Sequence, residues 1–356
     1  MDLQRNKNIY VVAGMQRSGI RGNAFVGSLS PDSAALHPGY ESSQLQILSR
    51  GFSLLEIMIS LSLSLFIFMG VYEVFNSVKQ SYDYIQGLAI IGENGQLATY
   101  FLMRDLAQAG YAGCRKISAD FPFMDHNNTG VSAETLVHGY TQQTLLSTES
   151  SIKKNMVPDS SVVSVQFMSS KTAYLNQPVK AGASWLSVDN SDLFKDGDSV
   201  LMANCLKADL IKLVSVGNNS VQANVKLNHY LPGSLVGKWQ DEWFYVAKTG
   251  RFNSMKQPIT ALYVHPLSGR DEELVEYVSD MHAQYGYLNS SRQLHFVPAS
   301  QVADWSTIKA IRILLLLNSG DNILSTKQAV VFDGYPWPVA DHHLYRQWEI
   351  IESLAN

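Results

Sequence analysis

Gly51-Phe52-Ser53-Leu54-Leu55-Glu56 opens a run that stays apolar as far as Tyr72. Residues 52–72 carry one formal charge, the carboxylate of Glu56. About 21 residues rising ~1.5 Å each span roughly 31 Å as a helix, close to the ~30 Å hydrocarbon core of a bilayer. The stretch therefore reads as a membrane-spanning helix with an acid near its N-terminal end. A carboxylate at membrane depth is costly unless it is paired, so Glu56 calls for a partner or a task. The alternative is a plain signal-anchor whose Glu rests at the interface.

On either side of this run the composition changes. Residues 1–51 hold five Lys/Arg and three Asp/Glu, a balance of +2, and the remaining 305 residues carry −6. No sustained periodicity organises 1–51, which reads as a leader. A basic leader held on the cytoplasmic side places everything after Tyr72 outside, which in a Gram-negative cell is the periplasm. An acidic balance without a basic patch leaves no footprint for nucleic acid. Charged residues make up only 16% of the chain, and Ser, Asn, Gln and Tyr are abundant after the anchor. That fits an exported β-rich domain better than a cytosolic enzyme. The two cysteines, Cys114 and Cys205, both follow the anchor. In an oxidising compartment they are expected to pair, the alternative being two separate buried thiols.

Beyond Tyr72 the helix is predicted to continue to about Ala109. Tyr82, Ile85 and Ala89, then Leu97, Tyr100 and Phe101, recur at three- and four-residue spacing and predict the face presented to a domain. Gly70, Gly87, Gly92 and Gly95 weaken the helix by up to ~1 kcal/mol each relative to Ala. Gly110 with Gly113 marks its end. After Cys114 the signals turn strand-like. Val163, Val165 and Phe167 alternate, as do Val221, Ala223, Val225 and Leu227. Apolar runs at 199–203, 243–247, 261–264, 308–317 and 329–332 predict further strands. Turns are predicted at 195–198, 217–219, 248–250 and 318–320. Residues 340–354 fit either a short helix or a last strand.

Candidate chemistry is sparse. The chain has no His-Glu-x-x-His, no Gly-x-Ser-x-Gly and no Lys-bearing phosphate loop. Asp341-His342-His343 offers metal-ligand types, but adjacent histidines point apart. Asp189, Asp192, Asp196 and Asp198 do not follow the spacing of a calcium loop and read as a polar turn. Asn127-Asn128-Thr129 is a glycosylation sequon by pattern. The expectation is no catalytic residue, no metal and no cofactor.

The hexapeptide at 51–56 resembles the processing site of type IV prepilins and pseudopilins. That resemblance implies that a prepilin peptidase cuts after Gly51 and methylates the new amino terminus of Phe52. It also implies that Glu56 pairs with the N-terminal amine of a neighbouring subunit. Two charges that are costly alone in lipid would then neutralise each other at a subunit contact. Downstream blocks resemble the PilW family of minor pilins. They are Ala109-Gly110-Tyr111-Ala112-Gly113-Cys114-Arg115, Asp196-Gly197-Asp198-Ser199-Val200-Leu201 leading to Asn204-Cys205, and Tyr245-Val246-Ala247-Lys248-Thr249-Gly250-Arg251. The fullest is Glu273-Leu274-Val275-Glu276, Gln284-Tyr285-Gly286 and Pro298 to Trp305, followed by the run from Ile308 to Leu316.

The resemblance implies a pilin-like α+β fold, a long N-terminal helix packed on an antiparallel β-rich domain. Its expected parts are a leader at 1–51, the helix at 52–109 with its transmembrane part at 52–72, and a periplasmic domain at 110–356. It implies a minor pilin needed for pilus assembly or initiation, in a tip or priming complex, with the adhesion and twitching motility that pili serve. Its implied partners are the prepilin peptidase, other minor and major pilins met through the helix, a tip adhesin, and inner-membrane lipid before assembly. The other readings are a minor pseudopilin of a type II secretion system and a membrane-anchored periplasmic enzyme.

Overall fold

The computed structural model describes residues 52–132, 135–141, 145, 152, 155–266 and 269–354. A single long helix, α1 (Leu54–Leu106, 53 residues), precedes a β-rich domain. It stops three residues short of the predicted end. Ala107 N–H still reaches the Met103 carbonyl at 2.9 Å, but Gln108 and Ala109 bond three residues back, to Asp105 and Leu106. That tightening closes the helix, and Gly110 leaves it at φ +70°.

Ten strands form the larger sheet: β1 (Phe123–Asp125), β2 (Val137–Thr141), β3 (Ser161–Tyr174), β4 (Trp185–Ser187), β5 (Ser199–Ala203), β6 (Ala208–Gly217), β7 (Ser220–Ala223), β8 (Leu235–Phe252), β9 (Pro258–Pro266) and β10 (Glu272–Glu276). The main path is β10-β9-β8-β5-β6-β7-β4. β3 joins β8 to β2, and β1 runs parallel beside β6. A four-stranded antiparallel sheet contains β11 (Val278–Leu288), β12 (Leu294–Pro298), β13 (Ile308–Asn318) and β16 (Tyr345–Ser353) in the order β12-β11-β13-β16. The hairpin β14 (Val330–Phe332) and β15 (Tyr335–Trp337) completes the set. The α+β class expected from the sequence is the class observed.

One core cluster joins Ile91, Ala98, Leu102 and Leu106 of α1 to both sheets, through Val163, Val165, Phe244 and Val246 of one and Ile311, Ile313, Leu315 and Ile350 of the other. This explains the unbroken run Leu314-Leu315-Leu316-Leu317. Leu315 and Leu317 enter that cluster, while Leu314 and Leu316 meet Val330 and Phe332 of the hairpin. A strand covered on both faces loses the alternation of a half-exposed one.

One open alternative is settled and one local expectation is corrected. Within residues 340–354 the strand alternative holds, as β16, pairing from Asn318↔Tyr345 to Ala310↔Ser353. Lys248-Thr249-Gly250 is not a turn but a bulge inside β8, where pairing with β9 slips between Lys248 and Phe252 and Gly250 takes φ +79°.

Candidate assembly surface

The membrane-length part of α1 is wholly exposed. Its most apolar 18-residue window has mean hydropathy 2.2 with none of it buried, and Phe52 is 79% exposed. Ser62 disposes of its hydroxyl inside the helix, donating to the Met58 carbonyl at 3.0 Å and the Ile59 carbonyl at 2.9 Å. Such internal bonding suits a segment with no water to bond. Glu56 lies exposed in the first turn, where the helix N-terminus carries partial positive charge. The expected leader at 1–51, and with it Gly51, lies outside the described residues.

Further along, α1 docks by a different face from the one its aromatic residues predict. The buried positions are Gly87, Ile91, Gly95, Ala98, Leu102, Asp105 and Leu106. Tyr82, Ile85, Leu97 and Tyr100 stay on the surface. The glycines are the reason. Gly95 lies against the indole of Trp348, and a Cβ there would fall 2.5 Å from Trp348 Cδ2. A Cβ at Gly87 would fall within 2.4 Å of Ile323 Cδ1 and 3.1 Å of Ser319 Cβ. Trp348 Nε1 then donates to Thr99 Oγ1 at 2.9 Å, Asn94 Nδ2 donates to the Glu276 carbonyl at 3.1 Å, and Arg346 donates to Tyr84 Oη at 3.1 Å. Absent side chains let the sheet come close enough for these bonds.

The C-terminal end of α1 holds a carboxyl pair. Asp105 is 2% exposed and grips Arg104 with both oxygens, at 2.7 and 2.8 Å. Glu242 on β8 lies beside Asp105. Burial, then the neighbouring Asp105, push its carboxyl from 4.5 up to about 7. A folded-state value above the unfolded one means the folded chain holds the proton more tightly. The stability it contributes is complete below about pH 4.5 and is lost as pH rises through about 7. We expect the Glu242→Gln variant to lack this part of the pH dependence and, near pH 8, to exceed the parent by about 1–2 kcal/mol after allowance for solvent screening. Thermal unfolding from pH 5 to 8 checks it; equal slopes would contradict the assignment.

Cys114 and Cys205 are joined by a disulfide, their Cα atoms 5.4 Å apart and 91 positions apart in sequence. A loop of that length constrains the unfolded chain by about 4–5 kcal/mol in the chain-entropy model. The bond ties the segment just after α1 to the β5–β6 turn.

The remaining candidates separate. His342 Nδ1 faces the Leu324 carbonyl at 2.9 Å, whereas His343 Nε2 meets Gln257 Oε1 at 3.1 Å. The four aspartates hold turns: Asp189 accepts from Tyr174 N–H, Asp196 from Val216 N–H, and Asp198 from Lys195 N–H while pairing with Lys238 at 2.7 Å. Asp192 offers its own N–H to Asn190 Oδ1 at 3.1 Å. Among the described residues no His, Cys, Asp and Glu side chains gather as metal ligands. The side-chain oxygen and nitrogen of Asn127 are buried, so the sequon is not presented. Sequence reasoning passed over two buried acid clusters. Asp209 accepts from Tyr230 Oη at 2.7 Å and meets His126 at 2.9 Å. His282 stands 2.9 Å from Asp333 and 3.6 Å from Asp280. Their members are distant in sequence, so no spacing announces them.

Nothing matches the chain among curated proteins or among solved structures. Residues 244–349 match the family model PilW, described as Type IV Pilus-assembly protein W. The match starts in β8, crosses β9 to β15 and ends in β16. It takes in the blocks at Tyr245, Glu273 and Ile308, while the two cysteine blocks fall before it. From residue 244 to 349, across the strands that receive α1, the chain is similar to the type IV pilus-assembly family PilW.

Proposed function

We propose that the protein is a minor pilin, held in the inner membrane by residues 52–72 before assembly, with its β domain in the periplasm. It then enters a pilus tip or priming complex through α1. The observation that carries this is one helix with two kinds of environment. Its first part is apolar and fully exposed, and its second is built into a domain whose C-terminal strands match a pilus-assembly family. In a filament, neighbouring helices would replace lipid around the first part at little cost, since both surroundings are apolar. Tyr82, Ile85, Leu97 and Tyr100 extend the exposed apolar surface beyond the membrane-length run and would meet other minor or major pilins. A large domain suits a tip, where a tip adhesin is the remaining partner, better than a repeating shaft. No catalytic role is proposed.

In this reading a prepilin peptidase removes the leader after Gly51 and methylates Phe52. A peptidase pocket shaped to glycine has no room for a β-branched side chain. Gly51→Val is therefore expected to leave a precursor about 51 residues longer than the mature chain, visible on an immunoblot of the membrane fraction. A normal-sized product from that variant would place cleavage elsewhere and undo the prepilin reading.

A further inference from the structure

Cys114 and Cys205 lie at two tight turns, and both are exposed. In the first turn the Ala112 N–H donates to the Arg115 carbonyl at 3.0 Å, above the bridge between Tyr111 and Lys116. In the second the Asn204 N–H donates to the Lys207 carbonyl at 3.0 Å. Asn204 Oδ1 also accepts from the N–H groups of Leu206 and Lys207, at 2.8 and 3.0 Å. Each turn keeps its own hydrogen bonds, and the residues behind them, Ala112, Ile117, Ala203 and Ala208, share one core cluster. Backbone and core therefore hold the two cysteines face to face whether or not the sulfurs are joined. The disulfide also lines an open cavity of about 400 Å³ beside Leu206 and Leu231, so a thiol can reach it from solvent. Exposed Arg115 follows Cys114 and lays its guanidinium over the Phe121 ring, 5.5 Å from the centroid, while Lys207 holds its ammonium over the Tyr230 ring at 4.3 Å.

The structure assigns Cys114–Cys205 as a thiol-exchange site, opened and re-closed by a dithiol while the β domain stays folded. A thiolate of the dithiol attacks one Sγ, and the electron pair of the S–S bond leaves on the other Sγ, which takes a proton from water. The second thiol of the reagent then displaces the first cysteine as thiolate and forms the reagent's own disulfide. Two electrons pass from the dithiol to the cystine. Re-closure needs an external disulfide as oxidant. It is favoured because the two turns hold the thiols at high effective concentration.

The test uses the full chain in detergent micelles, with dithiothreitol as the dithiol, iodoacetamide as the trap and peptide mass mapping. Both cysteines are expected to become alkylatable without denaturant, at a rate proportional to dithiothreitol, while the far-ultraviolet circular dichroism of the β domain stays that of the folded protein. Exchange into glutathione disulfide should restore the Cys114–Cys205 bond. Thiols that appear only at the rate of global unfolding, independent of dithiothreitol, would overturn the assignment. So would loss of the folded circular-dichroism signal in step with reduction.

Discussion

Replacing Glu56 with leucine is expected to leave the protein fully anchored in the membrane and to abolish its contribution to piliation. The carboxylate sits four residues after Phe52, about one helical turn. Within its own chain it serves only the helix N-terminus, an effect of about 0.3–1 kcal/mol. Paired with the Phe52 amine of a neighbouring subunit in an apolar bundle, it would fix axial register. Either charge left alone there carries a penalty of several kcal/mol. Glu56→Gln keeps the size and part of the hydrogen bonding but loses the charge, so it should also insert and be processed yet assemble poorly. The measurement is mature protein in the membrane fraction beside surface pilus yield, in a strain lacking the native copy. Full piliation by Glu56→Leu would make the charge incidental and restore the plain signal-anchor reading.

Two glycines one turn apart on α1 are expected to respond in opposite directions. A Cβ on Gly92 meets nothing within 4 Å, so Gly92→Ala should stabilise the helix by up to ~1 kcal/mol through backbone entropy. At Gly95 a Cβ falls 2.5–2.8 Å from three carbons of the Trp348 indole. Gly95→Ala must push the sheet away or turn the ring out, at about 1–3 kcal/mol, and it strains the Trp348–Thr99 hydrogen bond as well. Trp348→Ala empties the same contact and should cost about 2–4 kcal/mol. Chemical unfolding followed by tryptophan fluorescence, with circular dichroism for the Trp348 variant, reads all three. A Gly95→Ala protein as stable as the parent would contradict the docking described here.

These two residues also show what a sequence conceals. The membrane-length run was legible because hydrophobicity over 52–72 is a one-dimensional property, and β13 was legible for the same reason. The docking face of α1 was not. Tyr82, Ile85, Leu97 and Tyr100 give the stronger apolar periodicity, while the surface that meets the sheet sets Gly87, Gly95 and Ala98, whose value lies in what they lack, among Ile91, Leu102 and Leu106. Gly250 reads as a turn by local chemistry, yet β9 continues the pairing past it to Phe252↔Pro258. That is a long-range fact no window around Gly250 contains. Composition and compartment were enough to suggest pairing Cys114 with Cys205. The Asp105–Glu242 contact was invisible, because it is made by the end of a helix and the middle of a strand 137 positions away.

In the proposed reading this chain is processed at Gly51 and carried into a filament by α1. Mass spectrometry of pili sheared from the cell surface and purified away from membranes tests it most directly. Peptides from 244–349 are expected in that fraction, together with an N-terminal peptide that begins at methylated Phe52. Recovery of the chain in the membrane fraction alone, with residues N-terminal to Phe52 still attached, would contradict it.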